Sequence, residues 1–167
     1  MNIFRESSVA VAPTGRKLAF SEVGERNSSR VLLCLPGLLE TRATFDPLLE
    51  AVGDAEDLRV ISLDYCGRGG SDPLPTDGGY HMSVYLSDVE TLIRQEIFGH
   101  GLPRPRLDIL GTSMGGILGM YLASNADNDV QGLLLNDIGL NLTWMSIYGL
   151  YEGMKTAGRM PEAGHLA

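Results

Sequence analysis

The chain has 167 residues, 44% hydrophobic and 20% charged, the balance of one soluble globular domain or part of one, long enough to bury a core. Its 21 acidic and 13 basic residues give a net charge of -8 without a basic cluster, which disfavours nucleic acid and anionic membrane as partners. No apolar run reaches the roughly 18 residues of a membrane helix, and Met1 to Glu6 lacks the basic-then-apolar pattern of a signal peptide, so a cytoplasmic location is expected.

Residues 7–12 and 16–23 read as two strands joined by a turn at Pro13-Thr14-Gly15, a hairpin at a sheet edge. The polar stretch from Glu25 to Arg30 is a loop. Val31 to Leu35 is then a continuous apolar run, as expected of a strand buried on both faces. Thr44 to Val52 reads as a helix in which Asp46 offers an N-cap and Pro47 the first helical position. Leu58 to Leu63 is another buried strand. The segment from Gly67 to Gly79, with five glycines and two prolines, is loop. After it Met82, Tyr85, Leu86, Val89, Leu92, Ile93 and Ile97 fall on one helical face, until Gly99 to Pro105 ends the helix.

The next stretch, Leu107 to Tyr121, runs from an apolar strand through Gly111-Thr112-Ser113-Met114-Gly115 into apolar residues at helical spacing: Met114, Ile117, Leu118, Tyr121 and Leu122. This is a strand, a sharp elbow and a helix. A serine at such a bend needs strained backbone angles, and glycines on either side remove the Cβ atoms that would collide with strand and helix. Val130 to Leu135 is one more apolar strand, ending at Asn136-Asp137. Strands alternating with helices at this spacing predict a mainly parallel sheet covered on both faces. From Gly139 on, Trp144, Met145, Ile147, Tyr148, Leu150, Tyr151 and Met154 make an aromatic and methionine-rich stretch interrupted by glycines. As a sequence pattern it reads as a helical segment packing on its neighbours. The two cysteines, Cys34 and Cys66, fall in a strand and a loop, with no ligand spacing to any histidine, so free thiols and no metal site are expected.

The elbow resembles the nucleophile elbow of the α/β-hydrolase family. Two further motifs agree. Leu35-Pro36-Gly37-Leu38-Leu39 is similar to the family's His-Gly loop after the third strand, with Pro36 in place of the usual histidine. Asp64-Tyr65-Cys66-Gly67-Arg68-Gly69-Gly70-Ser71 is similar to its Asp-x-Arg-Gly-x-Gly-x-Ser turn after the fourth, with Cys66 in place of arginine. The resemblance implies a mostly parallel, doubly wound sheet with six strands present, the first two as a hairpin, and strands seven and eight missing. It also implies residues 1–138 as an incomplete core and 139–167 as the start of a helical lid.

The same resemblance implies a serine hydrolase acting on a small carboxylic ester or related acyl compound, with no cofactor, since the family's acyl chemistry needs none. Ser113 would be the nucleophile, and the backbone N–H groups of Leu38 and Met114 the oxyanion hole. Asp137 is a candidate triad acid; its other reading is a turn residue. Ser113 likewise reads alternatively as a helix-capping serine. The histidine base is expected outside this sequence: His165 lies in the lid region, and His81 and His100 precede the serine. A chain ending after strand six would expose Val130 to Leu135 as an apolar sheet edge, so homo-oligomerisation or association through that edge is expected. The opposing reading is a catalytically inactive fragment or binding protein on the same scaffold.

Overall fold

In a computed structural model, residues 4–11, 15–53, 55–74, 80–99, 101, 103–138 and 148–149 are described. The chain divides into two compact units, Met1–Asp137 and Ile138–Ala167, and the fold concerns the first. The segment expected as a lid, with His165, lies outside the described residues except for Tyr148 and Gly149.

Among the described residues six strands form one sheet: β1 (Arg5–Val11), β2 (Arg16–Val23), β3 (Arg30–Leu35), β4 (Leu58–Leu63), β5 (Arg106–Thr112) and β6 (Val130–Asn136). Their spatial order is β1-β2-β4-β3-β5-β6. β1 and β2 are an antiparallel edge hairpin, β2 runs antiparallel to β4, and β4, β3, β5 and β6 are mutually parallel. The connecting helices are α1 (Asp46–Val52), α2 (Met82–Leu92) and α3 (Met114–Ser124).

The central strands carry apolar residues on both faces because each strand feeds two cores. In β3, Val31, Leu33 and Leu35 join one buried cluster, while Cys34 joins the other. In β4, Ile61 and Leu63 face the first and Val60 the second. Successive side chains of a strand point to opposite faces, so a strand covered on both sides is mostly apolar, and the buried polar exceptions in β4 are partnered: Arg59 pairs with Glu22, and Ser62 Oγ donates to the Arg42 carbonyl. The larger cluster takes Val89, Leu92 and Ile93 from α2 and the turn after it, and Leu118 and Leu122 from α3; Leu49 of α1 fills the smaller.

Three local expectations need correction. Asp46 does not cap α1: a 3₁₀ turn at Arg42–Phe45 leads into the helix, so Phe45 is the N-cap and Asp46 is already helical at φ -52° and ψ -43°. The second helix stays α-helical only to Leu92 and continues as a π turn over Ile93–Ile97. On α3, Tyr121 points to solvent at 57% exposed. The buried face there is Gly115, Gly116, Leu118, Gly119 and Leu122, because glycines let the helix lie close against the sheet. A Cβ at Gly119 would come within 2.8 Å of Leu133 Cδ1 and 3.3 Å of Ile109 Cγ2.

Candidate active site

The parallel strands deliver their following residues to one edge of the sheet, the carboxyl edge where ligands of open α/β sheets bind. Register decides which residues meet there. Leu35 of β3 pairs with Gly111 of β5, and Thr112 of β5 pairs with Asn136 of β6. Leu38 and Met114 therefore each stand three residues past one paired position, and Ser113 and Asp137 one residue past another. The ends of β3, β5 and β6, from which these residues follow, are thus in register.

Ser113 sits at the bend between β5 and α3 with φ +49° and ψ -115°, a backbone conformation that few non-glycine residues adopt. It is partly exposed. Its N–H donates to the Asn136 carbonyl at 3.0 Å, and its own carbonyl accepts from Gly116 N–H at 2.9 Å and Ile117 N–H at 3.3 Å. The N–H groups of Met114 and Gly115, at the first turn of α3, have no acceptor within the helix. They add to the positive end of the helix dipole beside Ser113.

The flanking glycines are required by contact. A Cβ at Gly111 would lie 2.6 Å from the Cα of Gly116 in the opening turn of α3. One at Gly115 would lie 2.6 Å from the Pro36 carbonyl oxygen and closer still to that of Leu35. Gly115 thus seats the elbow directly against the end of β3, from which the loop bearing Leu38 departs.

In that loop Pro36 and Gly37 are buried, whereas the side chains of Leu38 and Leu39 are 38% and 44% exposed. Gly37 to Glu40 forms a turn closed by Glu40 N–H donating to the Gly37 carbonyl at 3.2 Å, and Leu39 takes φ +73° at its third position. Type II turns place glycine there, so a leucine is held against its preference. Tyr65 Oη donates to the Pro36 carbonyl at 3.0 Å, and Gly37 N–H donates to Glu40 Oε2 at 2.7 Å. Asp137, the candidate acid, is exposed, with φ +53° immediately after β6. His81 is the N-cap of α2, and His100 lies outside the described residues.

The Asp64 turn is built around its carboxylate. Asp64 accepts from the backbone N–H groups of Arg42 and Gly70, each at 2.8 Å, and pairs with the Arg42 guanidinium. Gly69, at φ +47°, is needed because a Cβ would meet that carboxylate. Ser71 Oγ donates to the Asp64 carbonyl at 2.6 Å and accepts from Ala19 N–H at 2.8 Å, tying the turn to β2.

Cys66, in the arginine position of the similar motif, lies in hydrogen-bonding contact with Arg16 and Asp88, and burial pushes its thiol up to about 11. Arg16 of β2 bonds both oxygens of Asp88, at 2.9 and 3.2 Å. The cation beside this buried aspartate thus comes from another strand. The sequence reading passed over Arg16, Glu40 and Tyr65; Glu40 alone left a local sign, three residues past a turn glycine.

A family model described as alpha/beta hydrolase fold matches residues 30–156. The chain is 36% identical over 157 residues to a 3-hydroxybutyrate-oligomer hydrolase of Cupriavidus necator, covering 92% of this chain and 51% of that protein. It is 30% identical over 111 residues to a serine hydrolase-like protein of Danio rerio, covering 66% of this chain and 32% of that one. A crystal structure of an alpha/beta hydrolase from Novosphingobium aromaticivorans superposes with a TM-score of 0.76 at 30% identity, covering 91% of this chain and 50% of that one. The chain thus spans about half the length of the first relative and about a third of the second.

Proposed function

This chain belongs to the α/β-hydrolase fold family, and on that premise we propose that it carries the nucleophile and oxyanion hole of a serine hydrolase acting on carboxylic esters. The observation that carries this reading is the elbow, a partly exposed Ser113 at φ +49° between two glycines that contacts require. Ser113 Oγ attacks the ester carbonyl carbon. The charge that develops on the carbonyl oxygen is met by the Leu38 and Met114 N–H groups, fixed donors that need not reorganise. The Ser113 proton passes to a histidine base, which returns it to the departing alcohol; the same base then deprotonates a water that attacks the acyl-enzyme and frees the carboxylic acid with Ser113 restored.

The reading requires a histidine base; Asp137, one residue past the position of β6 that pairs with Thr112, is the proposed carboxylate that orients it. The name of the Cupriavidus necator relative points to short hydroxyacyl esters as the substrate class. With Cys34 and Cys66 both free and buried, a reducing cytoplasm is the proposed compartment.

A fluorophosphonate probe on the natural full-length protein tests the proposal, with p-nitrophenyl butyrate hydrolysis in parallel. Labelling and hydrolysis are expected in the natural protein and neither in Ser113→Ala. Labelling that survives Ser113→Ala, or a natural protein inert to both reagents, would refute it.

A further inference from the structure

An oxyanion donor is useful only if it keeps its direction, and Gly37 is where the direction of Leu38 N–H is most easily lost. Glycine tolerates rotations of its two flanking peptides that other residues resist. Two consecutive peptide planes are nevertheless held at three of their four polar ends. In the Pro36–Gly37 peptide the carbonyl accepts from Tyr65 Oη at 3.0 Å, and the N–H donates to Glu40 Oε2 at 2.7 Å. In the Gly37–Leu38 peptide the carbonyl accepts from Glu40 N–H at 3.2 Å. A trans peptide is planar, with its C=O and N–H pointing in opposite directions. Tying the Gly37 oxygen to Glu40 therefore fixes Leu38 N–H on the opposite side.

Both holding groups are suited to the task. Tyr65 is 2% exposed, with its ring centroid 5.2 Å from that of Tyr85, so its hydroxyl is carried by a packed core. Burial also raises its pKa, which keeps the proton it donates. Glu40 holds the loop twice, by its carboxylate and by its backbone N–H. It also stands next to Leu39, whose left-handed backbone needs external support.

We infer that Tyr65 and Glu40 are positioning residues for the oxyanion hole, locking the Pro36–Gly37 and Gly37–Leu38 peptides so that the Leu38 N–H is preorganised. The inference rests on the proposed role of Leu38.

Two measurements on Tyr65→Phe, Glu40→Ala and Glu40→Gln test it. The first is amide hydrogen exchange and the Leu38 resonance by NMR, which needs no activity. Gly37 N–H is expected to exchange at least about 10-fold faster in Glu40→Ala, and the Leu38 signal to broaden or double in Glu40→Ala and Tyr65→Phe once the loop is free to move. Unchanged exchange and a single unshifted Leu38 signal would overturn the clamp, whether or not Ser113 reacts with fluorophosphonate.

The second is ester hydrolysis by the natural full-length protein. Tyr65→Phe and Glu40→Ala are expected to lower kcat by about 10- to 100-fold, less than the 10² to 10³ of deleting a donor outright, with KM within about twofold. Glu40→Gln, which keeps an acceptor oxygen, is expected to recover most of the Glu40→Ala loss. A loss confined to KM, or kcat unchanged in both variants, would show that neither residue serves the donor. A natural protein inert to fluorophosphonate would instead refute the Ser113 reading, leaving the clamp to be decided by exchange.

Discussion

Ser113 is held at φ +49° because its neighbours leave the chain no other route, and the two glycines on either side do different work. Gly111 admits the opening turn of α3, whereas Gly115 admits the end of β3. Because the obstacles at Gly115 are backbone carbonyls of Leu35 and Pro36, no side-chain rotation can relieve them. Gly115→Ala is therefore expected to cost about 3 kcal/mol, the upper end of the overpacking range, seen as a lower midpoint in urea unfolding at unchanged slope. A variant as stable as the parent would mean that elbow and strand are not in contact. The buried thiols make a second prediction at this scale. Burial pushes Cys34 up to about 12 and Cys66 up to about 11, so almost no thiolate exists at neutral pH. Neither is expected to react with iodoacetamide at pH 8 in the native chain, and both should in urea, as mass spectrometry would show.

At the scale of elements, the sheet and its helices are joined by polar pairs as well as by apolar packing. Arg16 on β2 and Asp88 on α2 have side chains only 10% and 2% exposed, with Cys66 of the turn after β4 against both. Arg16→Met would leave the buried carboxylate without its cation. The expected loss is about 3 to 5 kcal/mol by chemical denaturation, as for other buried pairs from which one partner is removed. Since Cys66 touches the same carboxylate, Arg16→Met with Cys66→Arg is expected to regain part of that loss; no recovery would mean position 66 cannot reach Asp88. The short α3 docks differently, through Gly115, Gly116 and Gly119, so that its amino end comes up beside the carboxyl ends of β3 and β5.

Across the described sheet, the strand order puts β4 and β3 at the centre, β5 beside them and β6 at one edge. Among the described residues β6 pairs only with β5, and its Leu134 is 52% exposed. An apolar strand with one free edge is a template for further pairing. The 167-residue chain is expected to elute as a dimer or larger species in size-exclusion chromatography, and Leu134→Lys to shift it towards monomer. A clean monomer from the parent chain would refute association through this edge. No described helix is long and apolar enough to cross a membrane.

The sequence by itself determined the elements and their class, because the information is local. Two-sided burial writes continuous apolar runs such as Val31 to Leu35, amphipathic helices write a 3.6-residue period, and the elbow needs its two glycines within two residues of Ser113. It also singled out Leu38, Met114 and Asp137 by motif and strand end. Only the tertiary structure decided that the strands they follow end in register, since strand register is a relation between segments that no single segment encodes. The same holds for Tyr65 reaching Pro36 over 29 residues of chain and Arg16 reaching Asp88 over 72. A hydrogen bond between distant side chains leaves no period or spacing in the chain. It exists only once the apolar cores have brought the two segments together.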